Sequence, residues 1–318
     1  MSFVSANGFD STIQNAVILD GNSDQTEMSL AIWPKLTAWA FKTELRQSYS
    51  LIVTDEYSRP AFQPVPGEYD VVRTDTQARL GVVSKIYRQQ DNQKLYGVFQ
   101  NVARNLLNDK AMSKISIDDR TSRNGAYCTL GITFRNMRKS VQQLNGTETS
   151  LSSYFRLRNA HGGQASVSVA SGVIETLSNN VSLFGTTEDM GRHTTGLTQE
   201  DIHSFCENQI QSWVSKVDRI KTMAMTPTTD AEVANAYKEL GYSPTMREKL
   251  MQQFDVEAHN RGKSVWAAYQ ALSTYASKDC DLFRPRKRSE DNLCETFAKR
   301  QDEVCKKVQA KAFLALSA

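Results

Sequence analysis

Closely spaced cysteines are missing from this sequence of 318 residues. Its five cysteines are Cys128, Cys206, Cys280, Cys294 and Cys305, and none of them form the Cys-x-x-Cys pairs that structural zinc sites use. An odd number of widely spaced cysteines is also untypical of a secreted disulfide framework. We therefore expect reduced thiols and no metal site. His203 and Cys206 lie one helical turn apart, but a structural role is favoured because no second pair of ligands lies nearby.

Long apolar runs are absent as well. No stretch approaches the roughly 18 apolar residues that a membrane-spanning helix needs. The opening residues, MSFVSANGFDSTIQ, lack the basic start and the apolar centre of a secretory signal. The sequence therefore predicts a protein without membrane partners, and we expect it in the cytoplasm.

The sequence contains none of the short motifs that identify the common enzyme classes. It has no phosphate-binding loop, no Gly-x-Ser-x-Gly nucleophile turn, no His-Glu-x-x-His metal motif and no dinucleotide-binding glycine pattern. We therefore expect a protein that is not an enzyme, with no catalytic residues and no cofactor.

Overall charge and composition are not extreme. Hydrophobic residues make up 40% of the chain and charged residues 23%, which is typical of a folded globular protein. The net charge of +3 is too small to indicate a polyanionic partner for the whole chain. Between Lys110 and Gly163, however, nine basic residues occur with only three acidic ones, so this segment has an excess of six positive charges. A local positive field of this kind can attract phosphate groups.

Alternation between apolar and polar residues predicts β-strands in the middle of the chain. It is clearest in Ala126–Arg135, Ser152–Asn159 and Gln164–Ser171, which indicate an antiparallel sheet with one buried face and one face in water. Tyr69–Thr74 and Leu80–Tyr87 are also predicted strands. Three prolines in Arg59–Tyr69 predict a loop before them.

Apolar residues at helical spacing predict α-helices at Gln93–Asn108 and Thr198–Met223, the second opening with a Thr198/Asp201 capping box. Further helices are predicted at Thr229–Leu240, Val265–Tyr275 and Leu293–Val308. The predicted class is α+β: a central antiparallel sheet with packed helices, followed by a helical C-terminal region. We divide the chain into a partly irregular N-terminal segment (1–65), an α+β core domain (66–225) and a helical C-terminal region (226–318).

Aromatic and basic side chains share the polar face of the predicted middle strands. Alternation places Tyr127, Arg135, Tyr154, Arg156 and Arg158 on this face. Guanidinium groups can bind the phosphates of a single strand, and aromatic rings can stack its bases. The flanking basic residues are Arg123, Arg138 and Lys139, and Arg192 lies shortly before the helix that begins after Thr198. We predict nucleic-acid contacts at these nine residues, although Tyr and Arg also suit exposed strand faces that bind nothing.

Four segments resemble a known family. VVRTDTQARLGVVSKIY (Val71–Tyr87), SRNGAY (Ser122–Tyr127), YFRLRNAHGG (Tyr154–Gly163) and GRHTTGL (Gly191–Leu197) occur in the order typical of a phage- and plasmid-encoded family of unknown function. The chain departs from the family at Leu177–Asn180, where a Cys-Ser-Asn-Gly-like element is usual. The resemblance implies no catalytic residues. In topology alone, the order of helix, three strands and long helix is similar to that of phage single-strand annealing proteins.

These observations lead to two functional hypotheses. The first is a phage- or plasmid-encoded protein that binds single-stranded nucleic acid and acts in DNA annealing or recombination, within the host cytoplasm if phage-encoded. The alternative is a non-enzymatic structural or host-interaction protein that assembles into homo-oligomers. In that case the apolar stripe of Leu293–Val308 would supply the contact surface.

Overall fold

Two antiparallel β-sheets and a set of helices form the protein. The computed structural model describes residues 33–53, 60–163, 165–189, 198–278, 280–283 and 292–317. The sheets contain three and five strands, and several helices lie in the C-terminal region. The predicted α+β class is confirmed.

The smaller sheet has the strand order β1–β2–β3, with β1 at Thr43–Val53, β2 at Pro60–Arg73 and β3 at Arg79–Ser84. The loop predicted for Arg59–Tyr69 is wrong, because β2 begins at Pro60 and continues through Pro64 and Pro66. Strand β3 pairs only with Glu68–Val72 of β2. Along its prolines β2 therefore has a free outer edge within the described residues, where the missing proline N–H is not needed.

The larger sheet is a meander in which successive strands are antiparallel neighbours. Its strands are β4 (Ile115–Ser122), β5 (Tyr127–Gln142), β6 (Glu148–Ala160), β7 (Ser168–Glu175) and β8 (Val181–Asp189). The three strands predicted from alternation are confirmed as β5, β6 and β7, the last shifted towards the C-terminus. Asn145 and Gly146 form the β5–β6 turn, and Gly146 adopts a φ of 84° that a glycine accepts without strain.

Helices α1 (Asn92–Leu106) and α3 (Gln199–Gln211) share a core with one face of this sheet, while the short α2 (Asp109–Met112) follows α1. Phe99 of α1 packs with Phe155 of β6, their ring centroids 5.4 Å apart. The predicted amphipathic helix at Gln93–Asn108 is confirmed. Apolar side chains alternate along β5 and β6 because they fill this core.

Helices also make up most of the chain after residue 198. The helix predicted for Thr198–Met223 is divided at Ser212 into α3 and α4 (Trp213–Met225), and its capping box is confirmed. The following helices are α5 (Asp230–Glu239), α6 (Pro244–Arg261), α7 (Val265–Ser277), α8 (Leu293–Lys307) and α9 (Lys311–Leu314). No helix in the described ranges is both long and apolar enough to cross a bilayer.

A second hydrophobic core joins the helical region to the larger sheet. Helix α7 is its centre: Trp266 and Tyr269 of α7 pack against Phe184 of β8. Helices α4, α5 and α6 contribute to the same core. The predicted division into three regions stays a prediction, although its boundary at residue 66 falls within β2.

Candidate functional site: the second face of the larger sheet

Strands β5 and β6 bring four of the predicted residues to one face of the larger sheet. The antiparallel register pairs Tyr127 with Ala160, Thr129 with Arg158, Gly131 with Arg156 and Thr133 with Tyr154. Directly opposed residues of neighbouring strands point to the same side of a sheet. Tyr127, Tyr154, Arg156 and Arg158 therefore lie on the face opposite to the α1 core.

This second face is covered by protein. Tyr127, Tyr154, Arg156 and Arg158 expose only 1%, 8%, 2% and 6% of their surface, because α8 packs on them. The prediction that these side chains face water is wrong at all four positions. Helix α8 provides carboxylate, amide and carbonyl acceptors, so the strand arginines can be buried with their charge compensated.

Asp302 of α8 binds two strand arginines at once. Its Oδ1 accepts a hydrogen bond from Arg156 Nη2, and its Oδ2 accepts one from Arg158 Nη1 at 2.5 Å. Arg156 Nη1 donates to Gln301 Oε1 at 2.8 Å and to the carbonyl of Ala298 at 3.2 Å. These terminal guanidinium nitrogens hold α8 against the sheet, so the nitrogens that make these contacts are not available to a polynucleotide in this conformation.

Arg123 and Tyr127 are also occupied by α8. The exposed Arg123 forms an ion pair of 2.7 Å with Glu295, whose side chain is buried. Tyr127 packs with Cys294 and Ala298, and burial raises the pKa of its phenol. A ring enclosed in this way cannot stack on a base, so the predicted stacking role of Tyr127 is also wrong for this conformation.

Arg135, Arg138 and Lys139 lie outside this interface. Strand β5 has an irregularity where its register with β6 shifts between Phe134 and Arg138. Arg135 lies within this irregularity, Arg138 ends it and Lys139 follows it. Arg135 and Arg138 are exposed, and Lys139 is half-buried, with a pKa lowered first by burial and then by Lys221. Of the predicted residues, Arg192 lies outside the described residues.

A polar cleft opens beside the covered part of the face, between the larger sheet and helices α7 and α8. Its volume is about 370 Å³. Three predicted residues, Arg135, Tyr154 and Arg156, line this cleft together. Arg120 of β4 and Lys278, which follows α7, complete its basic lining and were not predicted. Arg120 could have been included from its place in the basic segment, whereas no sequence pattern marks Lys278.

The charges around the cleft are partly compensated. Arg120 pairs with Asp118 at 2.7 Å, and this hydrogen-bonded partner raises the pKa of the guanidinium. Burial raises the pKa of Tyr154 to about 12, so its phenol stays protonated at neutral pH. Gly131 leaves room for this ring, because a Cβ there would lie 2.7 Å from the Tyr154 hydroxyl. The cleft therefore combines a neutral hydroxyl donor with fixed cations.

The cysteines do not form a reactive or metal-binding cluster in the described ranges. No group of three or more His, Cys, Asp or Glu side chains there could hold a metal ion. Cys206 is buried in the α1 core, whereas His203 is exposed and lies 3.9 Å from Glu207. Burial raises the pKa of Cys206 to about 12 and also raises that of Cys294, so both thiols stay protonated near neutral pH.

Asp119 has a role that its sequence neighbourhood does not indicate. Its carboxylate accepts hydrogen bonds from the backbone N–H and the hydroxyl of Thr37 and from the backbone N–H of Trp39, at 2.7 to 3.0 Å. It thereby fixes the segment before β1 to the larger sheet. The neighbouring Asp118 points to the other side of β4 and lines the cleft, so the two carboxylates do not act as a pair.

The resemblance to a phage- and plasmid-encoded family, and the topological similarity to annealing proteins, stay predictions. Scans against family models, curated proteins and solved structures found no match to this chain.

Proposed function

We propose that this protein is a non-enzymatic assembly protein whose copies associate through the outer edge of β1. The observation that carries the proposal is a two-stranded ribbon, formed by the ends of β1 and β2, with large apolar side chains in water. Tyr49, Leu51 and Phe62 are 58%, 62% and 74% exposed. The register pairs Leu51 with Phe62 and Tyr49 with Pro64, so these side chains share one side of the ribbon.

Within the described residues, the ribbon lacks the support that short β-structures usually need. Two-stranded hairpins are at best marginally stable in water, and a third strand or a covering helix is generally required. Strand β3 supports only Glu68–Val72, near the base of the hairpin. An additional strand beside β1 would complete the ribbon and cover part of its exposed apolar surface.

The two edges of the ribbon differ in their capacity to pair. Pro60 and Pro64 lie opposite Val53 and Tyr49, and Pro66 follows. Prolines on the outer edge of β2 remove N–H donors and so protect that edge against pairing. Because proline has no N–H to donate, Pro64 forms a non-hydrogen-bonded pair with Tyr49. The two kinds of pair alternate along antiparallel strands, so Leu51, two residues further on, is also in a non-hydrogen-bonded pair. The backbone N–H and C=O groups of Tyr49 and Leu51 are therefore directed to the outer edge of β1. This is the edge that can accept another strand.

The composition of β1 favours a second copy of the same strand as the partner. The distal part of β1, Ser48–Val53, contains no charged residue, so nothing in it repels an identical strand. At the base, Glu44 and Arg46 form an ion pair with each other and leave no net charge on the edge. An antiparallel β1–β1 pair would be isologous, the type of contact found in twofold-symmetric dimers.

The outer edge of β1 takes the place of the contact surface predicted from the sequence. The stripe of Leu293–Val308 is not available for assembly, since Phe297, Val304 and Val308 are buried within the chain. Val304 and Val308 belong to the hydrophobic core of the helical region, so a partner could reach them only after α8 had moved.

The test uses one proline on each edge of the ribbon. Leu51→Pro removes an N–H that faces the proposed partner and leaves the hydrogen bonds between β1 and β2 in place. Phe62→Pro is the matched control, because its N–H faces the edge that already carries prolines. Light scattering coupled to size exclusion, over a wide concentration series, should show an oligomer for the parent and for Phe62→Pro and a monomer for Leu51→Pro. A monomeric parent, or an oligomer unaffected by Leu51→Pro, would contradict the proposal.

Binding of single-stranded nucleic acid is the second candidate, now at a different place. The exposed Arg135 and Arg138 near the β5 irregularity, with Lys139 beside them, offer phosphate contacts without the stacking rings predicted from the sequence. Binding through phosphates alone would be strongly salt-dependent and insensitive to sequence. A labelled oligonucleotide titrated across a salt series tests it. Affinity that is independent of salt, or unchanged in the double variant Arg135→Ala/Arg138→Ala, would exclude this site.

A further inference from the structure

The cleft between the larger sheet and helices α7 and α8 has the dimensions and lining of a small-ligand site. Its volume of about 370 Å³ falls at the lower end of the range of roughly 300–1,000 Å³ typical of such pockets. It is lined both by polar strand residues, such as Ser116 and Thr133, and by helix residues. Neither the ribbon nor the proposed assembly contributes to it.

Two cations reach the cleft from different elements. Arg135 belongs to β5, and Lys278 follows the last residue of α7. Among the described residues, neither has a carboxylate within ion-pair distance, in contrast to Arg120, which pairs with Asp118 at 2.7 Å. Their positive charge therefore remains available to an anion in the cleft.

Arg156 supplies a third, independent indication of a ligand. The side chain is 2% exposed, and its two terminal nitrogens donate to α8. Its Nε is buried without a hydrogen-bond partner. Buried donors are normally satisfied, and an arginine cannot lose its charge by deprotonation. Because Nε has almost no accessible surface, a ligand oxygen in the cleft that Arg156 lines would provide the missing acceptor after a small movement of this side chain.

The remaining lining suits the organic part of a ligand. Ile174, Val181 and Phe297 provide apolar surface. Tyr154 is also at the cleft, where burial raises its pKa to about 12. Its protonated phenol can donate a hydrogen bond to an oxygen atom at neutral pH.

We infer that this cleft binds a small phosphate ester, with its phosphate held by Arg135, Lys278 and Arg156 and its organic group against Ile174, Val181 and Phe297. A phosphate dianion matches a cleft lined by several cations, and guanidinium groups bind phosphate oxygens through strong charge-assisted hydrogen bonds. The same chemistry is offered by a free nucleotide and by the 5′-phosphate of a nucleic-acid strand. The inference does not depend on assembly through β1.

The experiment titrates the full chain with four probes: inorganic phosphate, a nucleoside, the corresponding nucleoside monophosphate, and a short oligonucleotide with a 5′-phosphate. Calorimetry or phosphorus NMR gives the dissociation constants. Arg135→Ala/Lys278→Ala removes the two accessible cations, and Tyr154→Phe removes one hydroxyl. Arg138→Ala is the matched control, because this exposed arginine is also on β5 but does not line the cleft. Leu51→Pro, the assembly variant, is a second control.

The nucleoside monophosphate should bind saturably, more tightly than phosphate or the nucleoside alone. Its affinity should fall about tenfold or more in Arg135→Ala/Lys278→Ala and about threefold in Tyr154→Phe. It should be unchanged in Arg138→Ala and in Leu51→Pro. The oligonucleotide arm decides the source of the phosphate, since tighter binding than that of the monophosphate would indicate a strand end. An absence of saturable binding of any phosphate ester, or an equal loss in Arg138→Ala, would overturn the inference.

Discussion

Glu175 at the end of β7 and Arg261 at the end of α6 form an ion pair in which both side chains are completely buried. Glu175 Oε2 accepts a hydrogen bond of 2.8 Å from Arg261 Nη2. Arg261 Nη1 donates to Glu257 at 2.5 Å, and Glu175 Oε1 accepts from Trp266 Nε1 at 3.2 Å. This network joins the larger sheet to the helical region at a point where both side chains are fully enclosed by protein.

Removal of Arg261 should strongly destabilise the fold. Arg261→Ala leaves Glu175 and Glu257 buried together without a cation, and breaking a buried ion pair typically costs about 3–5 kcal/mol. Lys263→Ala is the matched control, because its pair with Asp230 at 2.6 Å is about half exposed. Exposed pairs contribute at most about 1 kcal/mol. Urea unfolding measures both variants, and similar losses of unfolding free energy would refute the structural role of the network.

Asp302 should be required to keep α8 on the sheet. Asp302→Asn retains the shape of the side chain but removes the negative charge that Arg156 and Arg158 share, at a cost of about 3 kcal/mol. Glu303→Gln, on the adjacent position of α8, removes only a partly exposed pair with Lys307. The free energy of unfolding should therefore fall much less in Glu303→Gln. Equal stability of Asp302→Asn and the parent would show that the covering of this face does not depend on the shared carboxylate.

Local patterns predicted strands β5 to β7 and several of the helices because the rules behind them are local, but they did not predict β4 or β8. The alternation in Ala126–Arg135 reflects a strand with one face in the core, and Thr198 with Asp201 forms a capping box within one helical turn. The prolines of β2 gave a wrong prediction for a non-local reason. A proline is excluded from a central strand but not from a free edge, and the position of an edge depends on strands elsewhere in the chain.

The environment of the polar sheet face could not be predicted in the same way. A row of Tyr and Arg on alternate strand positions is compatible with water, with a ligand or with a polar helix. The partner of Arg156 and Arg158 is Asp302, more than 140 residues further along the chain and without any distinguishing pattern around it. Lys278 at the cleft is equally unmarked. Tertiary packing alone decides which surface stays open.

Gly172 should tolerate no side chain, whereas Gly97 should accept one. A Cβ on Gly172 of β7 would lie 2.1 Å from the carbonyl oxygen of Ser182 in β8, and backbone cannot move aside as a flexible side chain can. Gly172→Ala should lower the free energy of unfolding by about 2 kcal/mol or more, the upper part of the range for overpacking. At Gly97, within α1, no atom other than the adjacent residues and the backbone of the same helix lies within 4 Å of the added Cβ. Gly97→Ala should therefore stabilise the helix by about 0.5–1 kcal/mol.

Tyr154 should make stability fall at alkaline pH. In the unfolded chain a tyrosine has a pKa near 10, and burial raises the pKa of Tyr154 to about 12 in the folded protein. The phenolate therefore forms more readily in the unfolded state. The contribution of Tyr154 to stability is complete below about pH 10 and is lost as the pH rises towards 12. Tyr154→Phe does not titrate, so its unfolding free energy should fall less between about pH 9 and 11 than that of the parent. The other buried tyrosines are present in both proteins and cancel in the comparison. An identical decline in parent and variant would mean that Tyr154 titrates like an exposed residue, and that α8 does not enclose it.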